Sequence, residues 1–399
     1  MKKKEFWQGF VTALVLAAAV SVVPKMFCRL IPWHMLPFQI ELSRAAKLEM
    51  IDDYLDRYYV DEYEKELADE FLYAGMMAGV GDRYTYYLPE ESMEQYMENA
   101  NGSFDGIGIE VYFTQEGEVI ISYVMPNEPA QEAGFRAGDV VIGVDGEDTR
   151  GYSLSDVASR IRGKAGTEVT VTVFRKETNE TLELTAKRAH VQIHSVQAEL
   201  LEGNIGYVLL SGFKENTYAQ FKEELQKLQE QGMQGLILDL RNNPGGLVRS
   251  VYQIGEELLP EGTMVYTLDK KENRSDLKCD SEYMDIPLVL LVNENSASAS
   301  EILAGAVKDT DTGTLVGTTT FGKGLVQRLF PLPDGSALNI TIQKYYTPNG
   351  TSIHEVGVEP HESVDLPEQY RGNAIANIPK EADTQLQKAI EVMEKKLTK

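Results

Sequence analysis

Apolar positions fall along this chain in three textures. From Phe6 to Val23 they form an almost unbroken run of about 18 residues, interrupted only by the mild polars Gln8, Thr12 and Ser21. Leu48, Ile51, Leu55 and Tyr58, and then Leu67, Phe71, Ala74 and Ala78, recur at the spacing of one helix face. That spacing predicts short amphipathic helices over 41–100, broken by Gly79, Gly81 and Pro89. At Gly102 the texture turns strand-like. Runs at 107–113, 119–123, 140–144, 169–174 and 182–186 are separated by turns containing Gly and Asp, and one helix is expected over 154–161. From about 191 helix and strand alternate: a strand over 206–210, a helix marked by Phe221, Leu225 and Leu228, and unbroken apolar runs at 236–240 and 288–292. Such runs are typical of strands covered on both faces. The alternation predicts an α/β layer fold. Leu386, Ile390, Met393 and Leu397 mark a last amphipathic helix. The chain thus divides into 1–24, a helical region over 25–100, a β-rich module over 101–190, an α/β region over 191–365 and a helical tail over 366–399. No internal repeat or low-complexity segment is visible.

The first run is preceded by Lys2, Lys3 and Lys4. A bilayer is spanned by about 17–25 apolar residues, whereas the apolar part of a cleaved signal has about 7–15. The length favours a retained single anchor, and Ala19-Val20-Ser21 leaves signal cleavage and secretion open. The lysines should keep the N-terminus cytoplasmic, with Lys25 and Arg29 as a weaker opposing vote. Everything after about residue 25 is then expected to face outward from the cell membrane. Cys28 follows Met26-Phe27, which does not suit a lipoprotein cysteine.

Composition narrows the class. The 399 residues are 43% apolar and 25% charged, an ordinary globular balance with ample length for a sizeable core. With 38 basic and 62 acidic residues the net charge is −24, the opposite of a phosphate-backbone footprint, so no nucleic-acid partner is expected. Cys28 and Cys279 are the only cysteines, which excludes a disulfide scaffold and any multi-cysteine metal site. His34, His190, His194, His354 and His361 sit in no metal-ligand pattern and beside no G-x-S-x-G elbow.

Three segments carry candidate chemistry. In 287–309 a buried strand runs through a polar turn into a helix beginning near Ser298 or Ala299. A serine at a helix N-terminus meets free N–H groups and the positive end of the dipole, which suits a nucleophile. It equally suits a plain N-cap, with Glu301 completing a capping box. In 317–327 Lys323 lies between Gly322 and Gly324. A lysine serves as general base only if burial brings its pKa down from about 10.4, and Ser–Lys pairs are a known form of nucleophile plus base. The rival reading is a phosphate loop from Gly317 to Lys323, but Gly324 stands where Ser or Thr should hold magnesium. In 236–246 a strand runs into Asn-Asn-Pro-Gly-Gly. Paired glycines there expose N–H groups fit for an oxyanion hole, or simply make a strand-to-helix turn.

Taken together, GSFDGIGIE (102–110), LDLRNNPGGL (238–247), SASASEI (296–302), TFGKGLVQ (320–327) and GVEPHESV (357–364) resemble the carboxyl-terminal processing peptidases, or tail-specific proteases. The resemblance covers nearly everything after residue 41. It implies a mixed α/β, multidomain chain with a crotonase-like peptidase core, an inserted PDZ domain and flanking helical segments. It implies a serine endopeptidase that recognises protein C-termini and needs no metal or other cofactor. Carried over residue by residue, the nucleophile is Ser298 and the general base Lys323. Gln327 resembles the residue that orients the lysine, and Asp309 an acid that matters in some members. The N–H groups of Ala299 and of Gly245 or Gly246 would bind the oxyanion. Asn295 stands where many members have glycine. Phe104, Asp105, Gly106, Ile107 and Gly108 match the carboxylate-binding loop of the PDZ domain. A substrate tail ending in an apolar residue would add as a strand to the edge beginning at Ile107, with helix 154–161 as the other wall. Arg162 resembles an arginine linking that module to the active site. In some relatives the helical segments form a dimer interface, which makes a homodimer an expectation. Whether a regulatory partner gates the PDZ module is left open. The competing classes are a membrane-anchored, non-catalytic PDZ adaptor on a peptidase scaffold and a nucleotide-binding protein.

Overall fold

The computed structural model describes residues 42–114 and 117–398. The expected anchor over 6–23 lies outside them. Among the described residues no helix is long and apolar enough to cross a membrane. The chain falls into two compact units, residues 1–69 and 70–399. In the first, helix α1 (Arg44–Tyr58) is capped by the Ser43 hydroxyl, which accepts the Ala46 N–H at 3.3 Å. Asp56 on α1 accepts from Lys65 at 2.5 Å and from Tyr63 at 3.0 Å, closing the turn into α2 (Lys65–Ala78). Gly79 and Gly81 end α2 as expected. Strand β1 (Tyr86–Leu88) follows, and Pro89 caps α3 (Glu90–Asn101).

The β-rich module begins with β2 (Ser103–Gly106), β3 (Ile109–Phe113), β4 (Val119–Val124) and the short helix α4 (Pro129–Ala133). It continues with β5 (Val140–Val144), β6 (Glu147–Asp148), α5 (Leu154–Ile161), β7 (Glu168–Arg175), β8 (Glu180–Lys187) and β9 (Ala189–Gln192). The antiparallel sheet runs β3-β4-β5-β7-β8, with β6 on β5, and leaves one edge of β3 open beside α5. Inward residues such as Ile121, Val141, Val157, Val171 and Val173 are sealed from solvent. Strands β2 and β9 pair antiparallel, Ser103 opposite Gln192 and Gly106 opposite Ala189, so the module enters and leaves through one two-stranded ribbon.

The rest comprises β10 (Val196–Leu201), β11 (Ile205–Leu210), α6 (Thr217–Glu230), β12 (Gly235–Asp239), α7 (Val248–Leu258), β13 (Gly262–Asp269), β14 (Arg274–Cys279) and β15 (Leu288–Val292). It ends with α8 (Ala299–Asp309), β16 (Gly313–Gly317), β17 (Leu325–Pro331), β18 (Ala337–Tyr346), β19 (Glu362–Ser363) and α9 (Thr384–Leu397). One sheet runs β10-β11-β12-β15-β16-β19 and is parallel from β11 onward. Alternate residues of each strand face opposite layers. Leu236, Leu238, Leu288 and Leu290 pack on α6, α7 and α8, while Ile237, Val289 and Leu291 pack on Leu386, Ala389 and Met393 of α9. This double cover explains the unbroken apolar runs. A second, antiparallel sheet, β1-β18-β13-β14 with β17 on β18, has no counterpart in the sequence reading. Its strands alternate buried with half-exposed residues too weakly to stand out.

One ionic cluster fixes the tail to the parallel sheet. Arg241 is fully buried and donates to Asp239, at the end of β12, and to Asp383, at 2.6 and 2.8 Å respectively. Asp383 also caps α9 by accepting the Leu386 N–H at 3.0 Å. Removing one partner of a buried ion pair strands the other charge. Asp383→Ala should therefore destabilise the protein by about 3 kcal/mol or more, read as a lowered thermal midpoint; an unchanged midpoint would contradict this role.

Candidate active site

Strands β12, β15 and β16 are parallel neighbours, so the loops that follow them open at one edge of the sheet. That edge is the usual crevice of an open parallel sheet. The loops are 240–247, 293–298 and 318–324, the three segments singled out by their chemistry.

The first two are laced together. The Asn293 side-chain oxygen accepts the Asn242 N–H at 2.9 Å. The Asn242 side-chain oxygen accepts from the amides of Asn293 at 2.8 Å and Asn295 at 2.9 Å. Ser296 donates to the Leu240 carbonyl at 2.8 Å, and the Asn243 carbonyl accepts from the Ala297 N–H at 3.0 Å and the Ser300 hydroxyl at 2.9 Å. Asn295 thus reinforces the turn before Ser298.

Ser298 has φ 54° and ψ −111° and caps α8. For a residue with a side chain such geometry costs roughly 1–3 kcal/mol and is held only by its surroundings. Here the holder is Glu301, which is fully buried. Its carboxylate accepts the Ser298 N–H at 2.8 Å, as a capping box would have it, and then goes further. It also accepts the Lys323 N–H at 2.8 Å, and the Thr320 hydroxyl and Gly322 N–H, each at 2.6 Å. The buried Tyr345 hydroxyl lies 3.0 Å from the Ser298 carbonyl and also reaches the Lys323 carbonyl. One carboxylate and one phenol therefore hold the main chains of Ser298 and Lys323 to each other.

The side chains are not joined. Among the described residues no hydrogen bond links Ser298 Oγ to Lys323 Nζ. The ammonium lies instead over the face of Tyr84, 4.7 Å from the ring centroid. Burial pushes the Lys323 pKa down from 10.5, with Asp82 and Glu301 pulling partly the other way.

The expected oxyanion groups sort themselves by their hydrogen bonds. The Ala299 N–H, first in α8, meets no acceptor among the described residues, and neither does the Gly246 N–H. The Gly245 N–H is taken by the side-chain oxygen of Asn243 at 2.9 Å, so it is not free to bind an oxyanion. Gly245 is needed for a different reason. At φ 100°, a Cβ there would stand 2.7 Å from the Ala297 carbonyl oxygen and 2.8 Å from Ser298 Cβ.

Two other expected residues lie apart. Asp309 ends α8, a helix length of roughly 16 Å from Ser298. Its carboxylate accepts the Asn349 N–H at 2.8 Å and so pins a surface turn instead of meeting Ser298. Gln327, on β17, donates to the Thr341 hydroxyl at 3.2 Å and makes no hydrogen bond to Lys323. The sequence reading missed Asp82, Tyr84, Thr85 and Tyr345, and saw Glu301 only as a cap. The alternating Tyr84–Leu88 stretch after Gly81-Asp82 was the available strand signal.

In the β-rich module the carbonyls of Ile107 and Gly108 accept N–H groups from Ala130 and Met125 at 2.8 and 2.9 Å, which fixes the loop at the head of β3. The Asp105 carboxylate faces away from a ligand role. It pairs with His190 at 3.0 Å and accepts the Ala165 N–H at 3.1 Å, which hold its pKa below the usual range. Arg162 stacks on Phe104, 5.6 Å from the ring centroid, and pairs with Glu98 on α3 at 3.0 Å; it does not reach Ser298 or Lys323.

A PDZ-type module on an α/β layer, with a helix N-terminal serine whose main chain is held to that of a half-buried lysine, points to the serine peptidases. Comparison with known proteins agrees. Residues 204–364 match peptidase family S41, and residues 120–175 match a PDZ domain. The carboxyl-terminal-processing protease of Synechocystis is 37% identical over 324 residues, 80% of this chain and 75% of that one. The carboxy-terminal processing protease CtpB of Bacillus subtilis is 33% identical over 332 residues, 81% and 68% of the two chains. A solved Bacteroides fragilis protein assigned to the S41 proteases shares the fold, with TM-score 0.52 at 17% identity over 90% of this chain and 99% of that one. The chain belongs to peptidase family S41, the carboxyl-terminal-processing serine proteases.

Gly245→Ala should push on Ser298 and Ala299 and lower kcat by roughly 100-fold or more, since small misplacements within an active site cost that much. A peptide-cleavage assay with full turnover in this variant would contradict the close approach.

Proposed function

We propose that Ser298 and Lys323 form the catalytic dyad of an endopeptidase that selects its substrates by their C-termini. The observation that carries this reading is the Glu301 carboxylate, which binds the N–H groups of both residues and fixes their spacing. When Lys323 is neutral and turned towards Ser298, it takes the hydroxyl proton as Oγ attacks the scissile carbonyl. The N–H groups of Ala299 and Gly246 stabilise the oxyanion. Lys323 then returns the proton to the departing amine, leaving an acyl-enzyme that water hydrolyses. Gln327 orients the lysine in that state. The substrate tail docks along the open edge of β3, its carboxylate at the N–H groups of residues 104–108, its last side chain against α5. Arg162 couples the filled module to the site.

Residues 6–23 anchor the protein as a single span, with the catalytic unit outside the cell membrane. The helical segments over 41–100 and 383–397 serve a homodimer, and the layered core is of the crotonase-like type. A regulatory partner acting on the PDZ module is compatible with this arrangement.

Full-length protein should cleave an unstructured protein ending in an apolar residue, and blocking that terminus as an amide should slow cleavage. Ser298→Ala should lower turnover by roughly 10⁴-fold or more with an unchanged fold by circular dichroism. Lys323→Arg should be equally inactive, because guanidinium does not deprotonate. Substantial cleavage by either variant would refute the dyad. Tail binding without cleavage in the wild type would favour the adaptor reading. Because the working lysine is neutral, kcat/KM should rise with pH through the Lys323 pKa. Burial lowers that pKa, so the limb should lie below 10.5.

A further inference from the structure

The segment 81–88 reaches the site from outside every motif discussed above. Strand β1 adds to the edge of β18, Tyr86 opposite Asn339 and Leu88 opposite Ala337. Before it, Tyr84 is pinned at both main-chain groups. Its N–H donates to Asp82 at 3.0 Å, and its carbonyl accepts from the Asn339 amide at 2.9 Å. Thr85 is held likewise, its hydroxyl donating to Asp82 at 2.7 Å and accepting the Thr341 N–H at 3.0 Å. The ring of Tyr84 is therefore placed by a sheet edge, whereas Lys323 reaches it on a flexible four-carbon stem. The main chain of Lys323 is itself fixed to that of Ser298 through Glu301 and Tyr345. Only the lysine side chain is left to move.

An aromatic face attracts an ammonium and not a neutral amine. Over Tyr84 the lysine is thus held in the protonation state that cannot serve as a base. The groups facing it share this bias. Asp82 and Glu301 are carboxylates, and both favour the charged amine. Burial pushes Asp82 up, but hydrogen bonds from Thr341, Tyr84 and Thr85 outweigh it and keep it ionised. His354 lies near Asp82, and Tyr345 near Glu301. Tyr84 is itself uncharged, so its removal isolates the contact without adding or deleting a charge.

We propose that Tyr84 is a positioning residue for Lys323: its ring is the resting place of the ammonium, and the lysine reaches Ser298 only after leaving that ring and passing its proton to solvent. This rests on Lys323 being the general base.

The test uses the full-length protein and two readouts. In the Ser298→Ala background, NMR titration of the Lys323 side chain should show the pKa falling by roughly half a unit to one unit in Tyr84→Leu, the strength of one cation–π contact. In the active protein, the acid limb of kcat/KM for a substrate with an amidated C-terminus should move to lower pH by the same amount. Cleavage of that substrate near neutral pH should rise roughly 3- to 10-fold. Tyr84→Phe, which keeps the ring, should restore the wild-type titration and pH profile. Tyr84→Met serves the same purpose as Tyr84→Leu should the latter fold poorly. An unshifted lysine in both apolar variants, or lost activity with an unmoved limb, overturns the proposal. If the wild type itself does not cleave, the base assignment fails, while the titration still reports whether the ring holds the ammonium.

Discussion

One carboxylate sets the geometry on which this enzyme depends. Glu301 is sealed from solvent and takes four donors, one from the turn at Ser298 and three from the loop carrying Lys323. A buried carboxylate is costly unless its lone pairs are filled, so the turn at Ser298 and the loop carrying Lys323 must both close around it. Those loops hang from different strands, β15 and β16, and Glu301 is joined in spacing them by Tyr345 and by the Phe321 N–H, which donates to the Ser296 carbonyl at 3.0 Å. With the main chains held, the freedom left at the site lies in the side chains of Ser298 and Lys323.

The strained Ser298 is supported in the same way. Its φ of 54° is tolerated because the helix behind it, the Glu301 carboxylate beside it and Gly245 across from it leave no alternative. Gly245 leaves its neighbours free for chemistry by giving up its own N–H to Asn243. Beneath, Arg241 joins the end of β12 to α9, so the loop that presents Gly245 and Gly246 stands on an ionic foundation shared with the C-terminal tail.

Much of this was legible in the sequence. The unbroken apolar runs gave β12 and β15 because strands covered on both faces have no polar side to show. Helix 154–161 and the strands of the PDZ module followed from clean periodicity. The antiparallel sheet carrying β17 and β18 was not legible, since half-exposed strands such as Ala337–Tyr346 mix polar and apolar residues. At the site, Ser298 and Lys323 were singled out as candidates by turn chemistry together with the family resemblance. Tyr84 and Tyr345 were not, because they arrive from remote segments and touch the loops only in three dimensions. Asp309 shows the converse: an acid near Ser298 in sequence can be a full helix away in space.

The ribbon of β2 and β9 has a consequence of another kind. Both chain crossings into the PDZ module run side by side, and Asn216 clasps their root by donating to the Gly102 carbonyl at 2.8 Å and to Gln192 at 3.0 Å. Three residues earlier, Phe213 donates its N–H to the Gly245 carbonyl at 2.9 Å. The recognition module is thus a graft with a single stem. A different binding domain with equally close termini could replace it without cutting any strand of the catalytic layer. The stem would still seat beside the loop 240–247, so evolution can exchange what the enzyme reads while leaving intact how it cuts.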